Sequence, residues 1–207
     1  MSKAFYGGLA KPLSVMTPEG TPSFVPEFKY PFDKTKAVEE LKASGYSTSN
    51  PVNITLLSTN GTFPNDYDMA RAIAQMWKAV GINATIEETT PAKLIEAAQS
   101  NKLTGCLLYS WANSTGDPEN YAGKIFDPRV RSSTWKDMSL VQRVDALVNE
   151  VDEGKRIAGY KALNREASEK SWAIPLMQSI TTVAYSSQLQ PTLFQSGYVL
   201  PDTYKYK

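Results

Sequence analysis

The residues best suited to bind a small molecule come directly after one short apolar run, residues 106–109. Trp111 offers an aromatic face for stacking, while Asn113, Ser114 and Asp117 add an amide, a hydroxyl and a carboxylate. One apolar surface with a few directional hydrogen-bonding groups is typical of small-molecule sites. The first hypothesis from these residues is therefore ligand binding.

The elements before these residues predict where they lie. The apolar run follows Gly105 and is too short for a stable helix, which favours a buried strand. In open α/β sheets, ligands bind beyond the carboxyl ends of the strands. Asn60 follows a neighbouring predicted strand and is expected at the same crevice, although the Asn60–Gly61 pair is more typical of a turn.

Structural interpretations of the same residues stay open. Asp117 followed by Pro118 is also a typical helix start, with Asp as the N-cap and Pro at the first helical position. For Asp117 alone this structural interpretation is favoured. Trp111 is equally well interpreted as a core aromatic residue, so its place at a strand end is what supports a binding role.

The composition argues against an enzyme. The chain has no histidine, which removes the usual proton shuttle and the commonest metal ligand, and one cysteine, Cys106, which is expected in the core. The GxGxxG, GxxxxGK[ST] and GxSxG motifs are absent. The one tempting acidic pair is Glu87 and Glu88, but adjacent strand residues point to opposite faces, which argues against a shared catalytic role for the two carboxylates. We expect no catalytic residues, no metal site and no cofactor.

Charge and hydropathy argue against a nucleic-acid-binding protein and against a membrane protein. The 207 residues are 42% hydrophobic, and 22 Lys and Arg balance 21 Asp and Glu. A balanced charge gives no attraction to nucleic acid or to an anionic membrane. No apolar run approaches a membrane span, and the N-terminus lacks the hydrophobic segment of a secretory signal, so this chain as written is expected to stay in the cytoplasm.

Residues 33–185 are predicted to form an α/β domain. The pattern gives a helix over 34–44 capped by Asp33, a strand from Val52, a helix from about 65 to 80 and a strand over 82–88. A helix starting at Thr90–Pro91 then leads to the Gly105 strand, so the order is β-α-β-α-β with parallel strands and right-handed crossovers.

The rest of the chain is predicted as follows. Two helices, about 139–151 and 154–171, precede a strand pattern over 173–185 that is either one strand or two short ones. Residues 1–32 hold five prolines among aromatics and are predicted as an extended arm, part of which packs on the domain. Residues 186–207 have no clear period and are predicted as a second arm.

At this point several motifs, in order, resemble the C-terminal half of a family 5 extracellular solute-binding protein, the peptide, nickel and opine class of ABC importers. The resemblance covers nearly all of the chain and continues through the helix of Arg156 and Tyr160 into AIPL (173–176). The motifs before that helix are PFDKTKAVEELKASGY (31–46), NITLLST (53–59), MARAIAQMWKAVGINATIE (69–87) and SWANSTGDPENY (110–121).

The resemblance implies a fold, partners and a location. The fold is a type II periplasmic-binding-protein lobe, with a mainly parallel mixed sheet flanked by helices and with extended arms at both ends. The chain would be one lobe of a receptor that closes around a small solute or peptide. It would lack the N-terminal lobe, to which residues 186–207 would cross. The longer parent would be periplasmic or at the cell surface, and would meet the membrane only through ABC permease subunits.

The resemblance also assigns roles at the site. Trp111 would stack on the solute, and Asn113, Ser114, Asp117, Tyr109 and Asn60 are the candidate hydrogen-bonding residues around it. Peptide-binding members carry an aspartate where this chain has Ser114, and a hydroxyl cannot give an ammonium group a charge-assisted hydrogen bond. Asp117 is a possible substitute. A neutral, sugar-like or opine-like solute is therefore at least as consistent with the sequence as a peptide.

The alternative function is a protein-interaction or structural α/β domain with no solute site of its own. One lobe contacts only one side of a solute, so we expect weak binding or none by this chain alone.

Overall fold

The computed structural model describes residues 1–100, 102–113, 115–130, 133, 135–194 and 197–207. The α-helices are α1 (Ser2–Tyr6), α2 (Lys34–Ala43), α3 (Asp66–Lys78), α4 (Pro91–Gln99), α5 (Val141–Val148) and α6 (Glu153–Glu169). The strands are β1 (Lys11–Pro12), β2 (Val52–Ser58), β3 (Ile82–Glu88), β4 (Cys106–Leu107), β5 (Met177–Gln178), β6 (Leu189–Gln190) and β7 (Lys205–Tyr206). A π-helix spans Glu119–Gly123, and short 3-10 helices span Met138–Leu140 and Pro201–Thr203.

A parallel sheet in the order β3-β2-β4 positions the predicted site, and it confirms the predicted α/β class and strand direction. Strands β2 and β3 pair along their whole length, from Val52 opposite Ile82 to Ser58 opposite Glu88. Strand β4 is shorter than predicted, although Leu108 N–H still donates to Leu57 O at 2.9 Å. The carboxyl ends of all three strands therefore lie at one edge.

The helices begin where the sequence places their caps. The Asp33 carboxylate accepts a hydrogen bond from Lys36 N–H at 3.0 Å at the start of α2, and Thr90 Oγ1 accepts from Lys93 N–H at 3.3 Å at the start of α4. Each bond satisfies one of the free N–H groups of a helix N-terminus. Helix α3 crosses between β2 and β3, as expected for a βαβ unit.

Two groups of buried side chains form the interior. The sheet-side core lies between α3 and the parallel sheet and contains Leu56, Met69, Ala70, Ile73 and Leu108. The helix-side core lies between α5 and α6 and contains Phe126, Leu140, Val144, Leu163 and Ala167. The rings of Trp135 and Trp172 pack against Phe126 at centroid distances of 5.6 Å and 5.7 Å.

The N-terminal segment docks on α6 through a buried amide. Asn164 is fully buried, and its Oδ1 accepts a hydrogen bond from Met16 N–H at 2.9 Å. Its Nδ2 donates to Thr17 Oγ1 at 2.6 Å and to Ser23 O at 3.3 Å. This segment also supplies β1, which pairs antiparallel with β5. Residues before α2 are thus integrated with the body of the fold.

Several sequence predictions are wrong in detail. Cys106 is exposed rather than in the core, because β4 is the outer strand of the described sheet. The predicted helix over 139–151 ends earlier, at Val148, and Val151 is 97% exposed in the connection to α6. Within the segment 173–185, the described strand is Met177–Gln178, which is shorter than the predicted pattern. Further along, β6 and β7 pair antiparallel.

Among the described residues, no helix combines the length and the apolar character needed to cross a bilayer.

Candidate functional site

The carboxyl edge of the parallel sheet brings together the ends of β2, β3 and β4. Ser58 and Thr59 are buried at the end of β2, whereas the next residue, Asn60, is exposed. Asn60 Nδ2 donates a hydrogen bond to the carboxylate of Glu88, at the end of β3, at 3.3 Å. Asn60 therefore lies at the edge where the sequence places it, and Glu88 is a charged neighbour that the sequence reasoning did not assign to this edge.

The Asp66 carboxylate organises the loop after β2. Asp66 is 2% exposed, and its Oδ1 accepts hydrogen bonds from Gly61 N–H at 2.9 Å and Tyr67 N–H at 2.8 Å. Its Oδ2 accepts from Thr59 Oγ1 at 2.8 Å and from Thr62 N–H at 2.9 Å. One buried carboxylate thus fixes the course of the chain on both sides of Asn60.

The hydrogen bonds of this loop also lower the pKa of the Asp66 carboxyl. Burial alone would raise the pKa of the carboxyl, because a low-dielectric environment disfavours the charged form. The hydrogen bonds from the loop outweigh burial, and the pKa of Asp66 lies below its ordinary value. The sequence does carry a signal for this role, because an aspartate in the first turn of α3 follows a run of small polar and turn-forming residues. The same pattern is also that of an ordinary helix start, which is all that the sequence prediction took from it.

Two aromatic side chains follow β4 at the same edge. The rings of Tyr109 and Trp111 lie 6.0 Å apart between centroids and are inclined by 57°. Tyr109 is 47% exposed, and Trp111 is half-buried. The indole of Trp111 therefore has surface available for stacking. A tilted aromatic pair of this kind presents apolar area in a fixed orientation.

The loop that follows is held together by Asn113. Its Nδ2 donates to the Asp117 carbonyl at 2.8 Å, and its Oδ1 accepts from Thr115 N–H and Gly116 N–H, each at 3.0 Å. Asn120 Nδ2 donates to the same oxygen at 3.2 Å. The carboxamide therefore orders the loop, a role that sequence reasoning missed.

Ser114, the other predicted hydrogen-bonding residue of this loop, lies outside the described residues.

The Asp117 carboxylate is engaged on the protein side. Its Oδ1 accepts a hydrogen bond from Arg156 Nη2 at 2.7 Å and from Glu119 N–H at 2.8 Å. The Arg156 guanidinium is the main reason that the pKa of Asp117 lies below its ordinary value. The bond to Glu119 N–H, at the start of the π-helix, agrees with the helix-start interpretation of Asp117–Pro118.

Arg156 is itself held by α6. Its Cζ lies 5.1 Å from the centroid of the Tyr160 ring, and Tyr160 is fully buried. Burial raises the pKa of Tyr160 to about 12, so the phenol stays protonated at neutral pH. The sequence gives no signal for the Arg156–Asp117 pair, because the two residues are far apart along the chain.

Two cavities lie away from the carboxyl edge. One of about 80 Å³ lies between residues 181–183 and 192–204, and another of about 260 Å³ lies near Gly81, where β3 begins. Within the part of the chain that the structure describes, no cluster of three or more His, Cys, Asp or Glu side chains is suited to hold a metal ion.

Comparison with known proteins gives consistent matches. The sequence pattern described as "Bacterial extracellular solute-binding proteins, family 5 Middle" matches residues 1–133. Di/tripeptide-binding protein 1 of Pseudomonas aeruginosa (strain UCBPP-PA14) is 26% identical over 166 residues, which are 78% of this chain and 29% of that protein. The chain thus aligns with about a third of the length of this relative.

Solved structures match over the whole chain. The structure of HbpA2 from Haemophilus parasuis superposes with a TM-score of 0.81 at 20% identity, covering 100% of this chain and 42% of that one. The dipeptide-binding protein from Pseudoalteromonas sp. SM9913, in complex with Met-Leu, gives a TM-score of 0.80 at 18% identity, with the same coverage.

Proposed function

This chain belongs to the family 5 extracellular solute-binding proteins of bacteria, and from that premise we propose that it is a ligand-recognition lobe of a receptor that captures a small solute or peptide for an ABC importer. Its fold is that of a lobe of the type II periplasmic binding proteins. The observation that carries the proposal is the aromatic pair and polar loop at the carboxyl edge of the parallel sheet.

The proposed binding surface is built from the edge residues. In the proposal, Trp111 and Tyr109 supply a stacking surface, and the polar residues that follow along the chain, Asn113, Ser114 and Asp117, are the candidate hydrogen-bonding residues. Asn60 contributes from the neighbouring strand. Because Asp66 and Asn113 already fix both loops, little conformational entropy is lost when a solute binds.

We further propose that the solute does not require a charged amine. Ser114 occupies the position of the aspartate that peptide-binding members use for an ammonium group. The Asp117 carboxylate is already paired with Arg156 at 2.7 Å, so much of its charge is balanced before an ammonium group arrives. Neutral, sugar-like, opine-like and amine-blocked peptide solutes are therefore the classes that this surface favours.

The second lobe of the receptor is the proposed partner of residues 186–207. This segment exposes several large apolar side chains, and it encloses part of the 80 Å³ cavity. The exposed side chains include Leu193, Phe194, Tyr198, Val199, Leu200 and Tyr206. Exposed apolar side chains concentrated in one segment are typical of sites of protein contact. We propose that residues 1–32, 33–185 and 186–207 are, in order, an arm, the binding lobe and a connection to the second lobe.

The receptor is proposed to act in the periplasm or at the cell surface and to deliver its solute to ABC permease subunits. No chemical step is part of the proposal. Recognition comes from matching polar groups, since a buried polar group left unpaired costs about 1–3 kcal/mol and so rejects near-miss solutes.

Saturation-transfer NMR on this 207-residue chain tests the proposal directly, because the method detects millimolar ligands. The probes are Met-Leu, its N-acetylated form and a disaccharide. We expect transfer to at least one probe in the wild-type chain and its loss in Trp111→Ala. The matched control is Tyr185→Ala, which removes an aromatic side chain that is 51% exposed and is not among the residues assigned to the site.

Two results would contradict the proposal. The first is equal transfer in the wild type and in Trp111→Ala, which would place binding elsewhere. The second is no transfer to any probe at about 10 mM, because the proposal commits to weak binding by this lobe rather than to none. The latter outcome would favour the alternative of a structural or interaction domain.

A further inference from the structure

The ion pair between Arg156 and Asp117 joins two parts of the molecule with different roles. Arg156 lies on α6, which contributes Leu163 and Ala167 to the helix-side core, whereas Asp117 closes the polar loop after Trp111. The Nη2–Oδ1 distance is 2.7 Å, and the side chains are 21% and 38% exposed, respectively. A partly buried guanidinium–carboxylate contact of this length is a strong, directional hydrogen bond.

Continuous hydrogen bonds lead from this pair toward the indole. Asp117 accepts from Arg156 through its side chain and from Asn113 through its carbonyl, at 2.8 Å. Asn113 is two residues from Trp111, and its Oδ1 closes the loop through Thr115 and Gly116. A displacement of Asp117 therefore displaces the segment that carries the indole.

The other end of the pair packs against a buried ring. The Arg156 guanidinium lies over the fully buried Tyr160 ring, 5.1 Å from its centroid. Gly123 of the π-helix packs on that ring, since a Cβ there would lie 3.3 Å from Tyr160 Cε1. A planar guanidinium can stack on a ring and donate from its edge at the same time, a geometry that the compact ammonium group of lysine does not reproduce.

We propose that Arg156 is a positioning residue, which orients Trp111 at the sheet edge through Asp117 and Asn113. This inference rests on the proposed function only for its biological purpose, because the orientation itself exists without a solute. If the binding-competent loop falls to about a tenth of the population when Arg156 is replaced, the apparent dissociation constant rises about tenfold.

The test uses 5-fluorotryptophan NMR on the 207-residue chain without a solute. The chain has four tryptophans, and Trp111→Phe identifies the resonance of Trp111. We expect Arg156→Gln to shift and broaden this resonance while the resonance of Trp77 stays in place. Arg156→Lys should give a smaller shift, because it keeps the charge without the planar fork.

The matched control is Arg143→Gln. Arg143 also makes an ion pair with a partner on α6, with its Nη1 2.6 Å from Glu166 Oε2, and its side chain is 43% exposed. That pair is not part of the Trp111 loop, so its loss should leave the Trp111 resonance unchanged. A general loss of packing would move the resonances of Trp135 and Trp172, which a positioning role leaves unmoved.

The inference is overturned if the Trp111 resonance of Arg156→Gln matches that of the wild type, or if Arg143→Gln moves it equally. If Arg156→Gln does not fold, Asp117→Asn tests the pair from the other side and must displace the same resonance. Since no solute is present, these outcomes are independent of the saturation-transfer result. A displaced resonance with no solute binding would refute the proposed function alone.

Discussion

Replacing Asp66 by Asn tests whether one buried carboxylate holds the loop after β2. The carboxylate accepts two N–H donors on Oδ1 and, on Oδ2, the Thr59 hydroxyl and Thr62 N–H. An asparagine accepts only through its oxygen, and its NH₂ group would face an N–H donor at the other position. The Thr59 hydroxyl can rotate to accept from that NH₂, whereas Thr62 N–H cannot.

The expected loss of stability follows from the number of N–H donors that lose their acceptor. With the amide oxygen at the Oδ1 position, Thr62 N–H loses its acceptor, and so does Phe63 N–H, which lies 3.4 Å from Oδ2. Each orphaned donor costs about 1–3 kcal/mol, so we expect Asp66→Asn to lower the free energy of unfolding by about 3 kcal/mol. Urea denaturation followed by circular dichroism measures this value, and the amides of Gly61 and Thr62 should exchange with solvent faster.

The control lies two residues along the same helix. Asp68 is 63% exposed and pairs with Arg71 at 3.4 Å, so Asp68→Asn should change the free energy of unfolding by less than about 0.5 kcal/mol. If Asp66→Asn is as stable as Asp68→Asn, the carboxylate does not hold the loop and our reasoning about this edge is refuted.

The same carboxylate gives a pH dependence. Because the pKa of folded Asp66 lies below its ordinary value of 3.8, the folded state binds fewer protons than the unfolded state in this range. The stability contributed by Asp66 is therefore complete above the unfolded pKa and is lost as pH falls through the folded pKa. The difference between wild type and Asp66→Asn should shrink below about pH 4.

Three further predictions concern the docked N-terminal segment, the site strand and the solute class. Asn164→Ala leaves Met16 N–H and the Ser23 carbonyl without their buried partner, so it should lower the free energy of unfolding in urea by about 2–4 kcal/mol. Asn149→Ala, at an exposed position, should lower it by less than about 1 kcal/mol. Equal losses for the two variants would contradict the docking of the N-terminal segment. Gly105→Ala places a Cβ 2.4 Å from Thr55 O at φ +82° and should lower the free energy of unfolding in urea by about 3 kcal/mol or more. Gly116→Ala, at φ +75° with open space around it, should lower it by about 1–2 kcal/mol. If the two variants are equally stable, the close approach of Gly105 to Thr55 is not needed. Ser114→Asp should raise the affinity for a free dipeptide about tenfold or more and leave its N-acetylated form unchanged in NMR titrations; an equal rise for both would refute the role of the amine.

The β-α-β-α-β order could be predicted because each element carries its own local signal. Strand β3 has the predicted bounds and β2 begins where predicted, and the caps at Asp33 and Thr90 are confirmed, since apolar spacing and cap residues act within a few positions. Helix α2 shows the limit of such signals. Val38, one of the few apolar residues of this helix, is 40% exposed, because periodicity identifies an apolar face but not what covers it.

Long-range pairs could not be predicted from the sequence. Strand β5 exists because Met177 and Gln178 pair with β1, and Arg156 is engaged by a carboxylate 39 positions away. The sequence around these residues does not indicate which distant residues they pair with. At the site itself, the residue types at the sheet edge were predicted, whereas the loop hydrogen bonds of Asn113 and Asp66 follow from backbone geometry that composition does not encode.

The central claim is that a solute binds at the carboxyl edge of the parallel sheet. A ¹⁵N-NMR titration of this chain with the saturation-transfer probe that binds best tests it most directly, because each backbone amide reports its own surroundings. We predict that the amides of residues 59–61 and 109–121 shift together with one dissociation constant. Shifts confined to the cavity between residues 181 and 204 would contradict the claim.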